Sequence, residues 1–348
     1  MKKIAVIFGG CSPEYGVSLE SAYAVIANMD RKKYEPVMVG ISEEGKWFCF
    51  TGEERLIKEN RWCNEKDCIP AAICPDKGSR RLIVFEKEKN REVRLDGAFP
   101  VLHGKNGEDG TVQGVLELAG IPFVGCGILS SALCMDKDRA HKMAAAAGVC
   151  VPRAFVAGKD ISENALLTFG EAVGYPLFVK PLKAGSSFGV TKVAEKGQLL
   201  KAAEEAFAYD SHVIIEENID GFEVGCAIMG TENLTVGEVD EIELSGGFFD
   251  FTEKYQLKTS KIRVPARISH KKAQEIKETA KTIYKALDCS GFARVDMFLT
   301  KDGRIVFNEV NTIPGFTEHS RFPGMMKAAG ISFGEILDRV IGDALACV

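Results

Sequence analysis

The clearest chemical signal lies near the C-terminal end of the chain. Two apolar-rich runs, 292–300 and 304–311, flank Asp302-Gly303, a residue pair that favours hairpin turns. With that pair as the loop, Asp296 faces Glu309 and Arg294 faces Asn311 across an antiparallel ladder. Period-two alternation puts all four side chains on one face, with directly paired Cβ atoms ~4.5–5.5 Å apart. Two carboxylates set opposite each other repel, so a strand with only a structural task gains nothing from them. A divalent cation removes the repulsion, and Asp, Glu and Asn are hard oxygen donors suited to Mg²⁺. Arg294 beside them offers a fixed donor fork for an oxyanion or phosphate. The pattern predicts a metal site at Asp296, Glu309 and Asn311 in preference to a solvent-facing hairpin.

Three other segments could serve such a site. The strand Tyr175–Pro181 carries Lys180 near its end and runs into Ala184-Gly185-Ser186-Ser187-Phe188-Gly189, followed by a second strand at 190–193. Small residues let backbone amides approach phosphate oxygens, and Lys180 adds a point charge. Strand–loop–strand order excludes a P-loop. Taken alone, an ordinary hairpin explains this segment as well. The run Val213–Ile219 breaks into Glu216 and Glu217, with Glu223 just beyond. Carboxylates and backbone groups there could hydrogen-bond a base and a ribose, although a solvated strand end is the default. Phe248–Tyr255, aromatic and charged, follows Ser245-Gly246-Gly247. That composition suits a hinged lid bringing Lys254 to phosphate, or a buried aromatic strand. His319, in the loop after the metal strand, is a candidate only through its position.

The elements that must hold these residues read as α/β. Ile4–Phe8 is a continuous apolar run ending in Gly9-Gly10, as in strands covered on both faces. A helical pattern starts at Ser18, with Leu19, Ala22, Val25 and Ile26 in phase. The charge-rich stretch 77–94 predicts a solvated hairpin or loop. A strand end at 99–102 leads into His103-Gly104-Lys105-Asn106-Gly107-Glu108-Asp109-Gly110, too varied in polar types for a plain connector. A short helix at 111–119 and a return to the sheet at 121–125 follow. Helices over 130–147 then precede a β-rich segment from Val151.

With 348 residues and ~150 residues per domain, two or three domains are expected. Hydrophobic residues at 46% and charged residues at 27% give a composition able to bury real cores. The net charge of −5 argues against binding nucleic acid by electrostatics. No apolar run approaches the ~20 residues that span a bilayer, so no membrane partner is expected. The apolar stretch after Lys2-Lys3 is shorter than the ~7–15 residues of an export signal. Eleven scattered cysteines without a CxxC pair read as reduced thiols in the cytoplasm.

Taken together, these motifs resemble the D-alanine–D-alanine ligase family of the ATP-grasp superfamily, from Lys3 to about Leu337. The resemblance is carried by Phe8-Gly9-Gly10, the 103–110 loop, Met135-Asp136-Lys137, and Lys180-Pro181 with Gly185-Ser186-Ser187. Arg294-Val295-Asp296 and Asn308 through Gly315 complete it. It implies a three-domain ATP-grasp fold: an N-terminal doubly wound parallel-sheet domain at 1–126, a central domain at 127–217 and a C-terminal domain at 218–348. It also implies ATP and two Mg²⁺ ions, with Mn²⁺ as a possible substitute. Lys137, Lys180, Ser187 and Lys254 would meet the phosphates, Glu216, Glu217 and Ile219 the adenine, and Glu223 the ribose. Asp296, Glu309 and Asn311 match the metal ligands, and Arg294 and the Gly315 amide match the oxyanion stabilisers. Ser186 and Tyr255 match a hydrogen-bonded pair that closes the lid. A homodimer is expected.

One departure stands out. The family pattern Glu-x-Glu-Val-Ser reads here Glu14-Tyr15-Gly16-Val17-Ser18. Gly16 removes the carboxylate that faces the first substrate's ammonium, so weaker capture of D-alanine is expected. Candidate substrate contacts are Glu14, His103, Asp240, Phe249, Ser320 and Arg321. Relatives that add D-alanine carry an apolar residue where Arg321 stands. Asp240, Phe249 and Arg321 fit a D-serine pattern, with Asp240 orienting Arg321; the competing view makes Arg321 a surface arginine. Tyr255 argues against D-lactate. The expected activity is ligation of D-alanine to D-serine through D-alanyl phosphate. The alternatives are a D-alanine–D-alanine ligase, another ATP-grasp carboxylate–amine ligase, or a nucleotide-binding regulator that has lost catalysis.

Overall fold

The computed structural model describes residues 1–64, 66–185, 188–244 and 260–346. Ser186, Ser187, Phe249, Lys254 and Tyr255, with the whole lid segment, lie outside these residues. Seven strands form the first sheet: β1 (Lys2–Gly9), β2 (Tyr34–Ile41), β3 (Trp47–Phe50), β4 (Cys68–Ile73), β5 (Arg81–Val84), β6 (Arg91–Arg94) and β7 (Gly97–Val101). Their order is β6-β5-β4-β3-β2-β1-β7. The apolar run in β1 lies between β2 and β7, parallel to both, and Ile4–Phe8 is fully buried. Among the described strands of this sheet, only these three are parallel. The expected parallel sheet is extended by an antiparallel meander, β3 to β6. The cause is connection length: residues 42–46 are too few for the crossover that a parallel neighbour needs. The charge-rich stretch is the β5–β6 hairpin. Residues 121–125 touch the sheet through a single bridge, Ala98 to Phe123, and form no strand.

A second, antiparallel sheet holds β8 (Ala154–Gly158), β9 (Leu177–Pro181), β10 (Thr191–Val193) and β11 (His212–Glu217), in the order β10-β9-β11-β8. The third contains β12 (Gly221–Met229), β13 (Thr235–Val236), β14 (Asp240–Leu244), β15 (Ser260–Arg263), β16 (Phe292–Thr300) and β17 (Ile305–Asn311). Its main path runs β15-β14-β12-β16-β17, with β13 paired to β12. The apolar face of helix His270–Ala286 (Ile276, Ala280, Ile283, Tyr284) shares a core with β12 and β16.

The last helix, Phe333–Ala346, packs in a core shared by the first and third sheets, which takes in Ala227, Met229 and Phe292 of β12 and β16. Ile336, Leu337, Val340 and Ile341 join a core with β1 and helix Tyr15–Asn28, and Lys33 pairs with Asp338 at 2.6 Å. The end of the chain therefore helps close a core common to the first and third sheets, and residue 126 bounds a stretch of sequence but not a packing unit.

Candidate active site

In the β16–β17 hairpin, Arg294 pairs with Asn311 and Asp296 with Glu309. The turn, however, holds three residues: Thr300 N–H donates to Arg304 O and Gly303 N–H to Thr300 O. Gly303 takes φ +86°, a left-handed conformation that costs glycine nothing. A bulge between Asp296 and Met297 then leaves Asn308 unpaired in β17 and shifts the ladder by one. The longer turn and the bulge cancel, so the pairing expected from a two-residue turn holds at the residues that matter. His141 Nε2 lies 2.8 Å from the carbonyl of the bulged Asn308.

Asp296 is 1% exposed and is gripped by two arginines. Arg294 forks it, Nε to Oδ1 at 2.8 Å and Nη2 to Oδ2 at 2.7 Å, and Asn311 Nδ2 donates to Oδ2 at 2.9 Å. Arg321 Nη2 approaches Oδ1 at 3.4 Å. Burial opposes the charge of Arg294, but Asp296, with Asp240 adding to it, raises its pKa. The donor set fits magnesium: Asp296 and Glu309 are anionic, and Asn311 keeps its amide oxygen for a cation while its nitrogen serves Asp296.

A cavity of about 650 Å³ opens beside this hairpin, lined by residues of the second and third sheets. Lys137, Lys180, Glu216, Ile219, Glu223 and Glu309 all face it, which brings the candidate nucleotide contacts and one metal ligand into one cleft. Lys180 Nζ donates to Glu216 Oε2 at 2.6 Å, and Lys137 Nζ to Ala184 O at 2.7 Å. Burial would push Glu216 up, but Lys180 and then His141 hold it below the usual carboxylate range. Its other oxygen, Oε1, accepts no hydrogen bond among the described residues. A buried, unfilled acceptor at the wall of a cleft this size suits the amino group of a base. Glu217 lines the cavity too, but Arg153 takes its carboxylate through Nε and the backbone N–H, both at 2.9 Å. The Glu217 backbone N–H is engaged as well, donating to Arg153 O at 3.0 Å.

Arg321 is not a surface arginine. It opens helix Arg321–Ala328 and is 8% exposed. Nε and Nη2 fork Asp240 at 2.7 and 2.8 Å, and Nη1 donates to Glu223 Oε1 at 2.6 Å. Burial opposes its charge, yet Asp240, then Asp296 and Glu223, hold its pKa well above normal. Gly225 on β12 makes the room: a Cβ there would lie 2.4 Å from Arg321 Nη2 and 2.6 Å from Asp240 Oδ1. Sequence reading missed Gly225, and only its place among bulky strand residues marked it.

His103 is not open to a ligand through its nitrogens. Nδ1 lies 2.8 Å from Ile313 O and Nε2 3.3 Å from Ser21 Oγ, because burial inside the fold forces both to find protein partners. Ser320 Oγ is held by Thr317 N–H at 3.1 Å, and His319 is exposed. Glu14 is buried between two loops: a Cβ on Gly104 or Gly185 would come within 2.5 and 2.9 Å of its Oε2. Gly16 is exposed, and a Cβ there would meet nothing within 4 Å. Glu108, which no motif argument singled out, accepts from Gly104 N–H at 2.9 Å and Ile313 N–H at 3.1 Å.

Such a fold and cleft, with acidic and amide oxygens on paired strands beside a lysine-lined cavity, define a nucleotide-using α/β enzyme. The D-ala D-ala ligase N-terminus model matches residues 3–126 and the D-ala D-ala ligase C-terminus model residues 144–342. The chain belongs to the D-alanine–D-alanine ligase family, whose members are ATP-dependent, generally use Mg²⁺ and act on small amino acids. It is 47% identical to the vancomycin/teicoplanin A-type resistance protein VanA of Enterococcus faecium, over 99% of this chain and 98% of that one. To the D-alanine–D-alanine ligase of Caldicellulosiruptor bescii it is 41% identical, over 99% and 95%. The crystal structure of the VanG D-Ala:D-Ser ligase from Enterococcus faecalis aligns with TM-score 0.91 and 55% identity, covering 99% of both chains. A regulator without catalysis finds no support in these relatives. No described helix is long and apolar enough to cross a membrane.

Proposed function

We propose that this protein joins D-alanine to D-serine at the expense of ATP, making a peptidoglycan-precursor dipeptide of the kind that confers vancomycin resistance. The carboxylate of D-alanine takes the γ-phosphoryl group, giving D-alanyl phosphate and ADP. The amine of D-serine, having lost its proton, attacks the acyl carbon, and inorganic phosphate leaves as the amide forms. Lys137 and Lys180 offset phosphate charge, Glu216 Oε1 takes the adenine amino group, and Glu223 meets the ribose. Asp296, Glu309 and Asn311 would hold Mg²⁺, which when bound screens the negative charge of the transferring phosphoryl group. Arg294 and the Gly315 amide stabilise the tetrahedral oxyanion. Lys254, Ser186, Ser187 and Tyr255 complete the closed site in this proposal, and a cytoplasmic homodimer carries it.

The observation that carries the choice of D-serine is the buried Arg321–Asp240 pair. A pocket walled by such polar groups hydrogen-bonds a hydroxyl and penalises a methyl, which leaves those groups unpaired. An apolar wall would only tolerate the hydroxyl. The 55% identity to a D-Ala:D-Ser ligase supports the same reading. One observation favours D-alanine instead: three of the five Arg321 N–H groups already serve carboxylates. Incubation with ATP, Mg²⁺ and equal D-alanine and D-serine, with products resolved by mass, tests the proposal. Mostly D-alanyl-D-serine is expected; mostly D-alanyl-D-alanine overturns the specificity but keeps the ligase. ADP release that does not depend on D-alanine overturns both.

A further inference from the structure

The segment Ile313-Pro314-Gly315-Phe316 follows the metal strand β17 and crosses to the first domain. Its backbone donors are accounted for one by one. Ile313 N–H donates to Glu108 Oε1 at 3.1 Å, proline has no N–H, and Phe316 N–H donates to Ser21 Oγ at 3.2 Å. The Gly315 N–H donates to no described residue. One amide is left open between two that are pinned.

The pins form a directed chain. The carbonyl of Ile313 can only accept, so His103 Nδ1, 2.8 Å away, carries the proton. In the neutral ring Nε2 is then an acceptor, so the Ser21 hydroxyl, 3.3 Å away, donates to it. The remaining lone pairs of Ser21 Oγ face the Phe316 N–H. Each partner has one role, and each role is filled. A charged ring would put Nε2–H against Ser21 and turn the hydroxyl proton away, with no exposed surface to receive it, since Ser21 is fully buried. Burial also keeps the His103 pKa below its ordinary value.

We infer that Ser21 is a positioning residue for the Gly315 amide, acting through the Ser21–His103–Ile313 chain that fastens this segment to the first domain. The inference rests on the ligase reading with Gly315 as oxyanion donor. Serine at this position touches no substrate; it sets where the open N–H points. An oxyanion donor must sit where charge develops in the second half of the reaction, when the amine attacks, and contributes little to phosphoryl transfer.

The test is Ser21→Ala, which places a good helix former inside helix Tyr15–Asn28. Two quantities are read: D-alanine-dependent positional isotope exchange in β,γ-bridge-labelled ATP, which reports acyl phosphate formation, and steady-state dipeptide synthesis. Exchange within about twofold of wild type, with dipeptide kcat down about tenfold and KM for D-alanine little changed, is expected. Exchange and synthesis falling in proportion, or neither falling, overturns the positioning role. Wild-type protein showing no exchange and no dipeptide overturns the ligase reading itself. Independently of any variant, ¹⁵N spectra of histidine-labelled wild-type protein at pH 7 should show His103 neutral with the proton on Nδ1. An Nε2–H tautomer or an imidazolium there overturns the chain.

Discussion

Replacing Arg321 with leucine looks at first like a simple specificity switch, but the burial of its partners predicts otherwise. Asp240 is 0% exposed and Asp296 1%, and both face the Arg321 guanidinium, as does Glu223. Asp296 keeps Arg294; Asp240 loses its fork, and Glu223 loses a 2.6 Å partner. Breaking a buried pair from one side costs about 3–5 kcal/mol, because the surviving charge has neither water nor counter-ion. With an m-value of about 2 kcal/mol/M, the urea midpoint should fall by roughly 2 M. Turnover should fall with every acceptor, since Glu223 lines the reaction cleft and Asp296 pairs with Glu309, which lines it too. The double variant Arg321→Leu/Asp240→Leu removes both charges of the fork and should recover about half or more of the lost stability. Its products from equal D-alanine and D-serine should shift towards D-alanyl-D-alanine. Urea unfolding and product analysis on wild type, single and double variants decide the matter. A single variant within about 1 kcal/mol of wild type would refute the burial argument. An unchanged product ratio in a stable double variant would refute the selectivity argument.

Three further outcomes are expected. Glu309→Gln should keep the fold but lower turnover roughly 100-fold at saturating ATP and Mg²⁺, the scale on which loss of one electrostatic stabiliser acts; near-normal turnover removes Glu309 from the metal site. Gly16→Glu, with open space for its side chain, should lower the first-site KM for D-alanine by roughly threefold through a partly exposed charge pair. An unchanged or higher KM means the first substrate is held another way. Burial, then the charge of Glu14, pushes Glu108 up to about 8. A group raised on folding stabilises the protein below its unfolded pKa and loses that contribution as pH rises through the folded one. Wild-type unfolding midpoints should therefore fall from pH 5 to pH 9, and less steeply in Glu108→Gln; parallel slopes count against the assignment.

The local chemistry of this protein is legible in the order of its residues. Alternation and turn residues put Arg294, Asp296, Glu309 and Asn311 on one face, because side-chain direction in a strand depends only on near neighbours. Even the misjudged turn did no harm, since the bulge at Asn308 shifts the ladder back before the carboxylates are reached. The apolar run at Ile4–Phe8 likewise announced a strand covered on both faces. Tertiary structure decided what those residues meet. Arg321 finds Asp240 81 positions away and Glu223 98 positions away, and Glu108 reaches Ile313 across 205. Such partners share no periodicity, and nothing local to Arg321 separates a buried fork from a surface ion pair. The choice is made by Gly225, which leaves space for the guanidinium, and by three strands that carry acids to one point, where low dielectric makes pairing obligatory. The same holds for the last helix, whose apolar face suits any core in the molecule. It packs in a core that joins Val6, Phe8 and Phe99 of the first sheet to Met229 and Phe292 of the third, a placement set by long-range contacts and not by its own pattern.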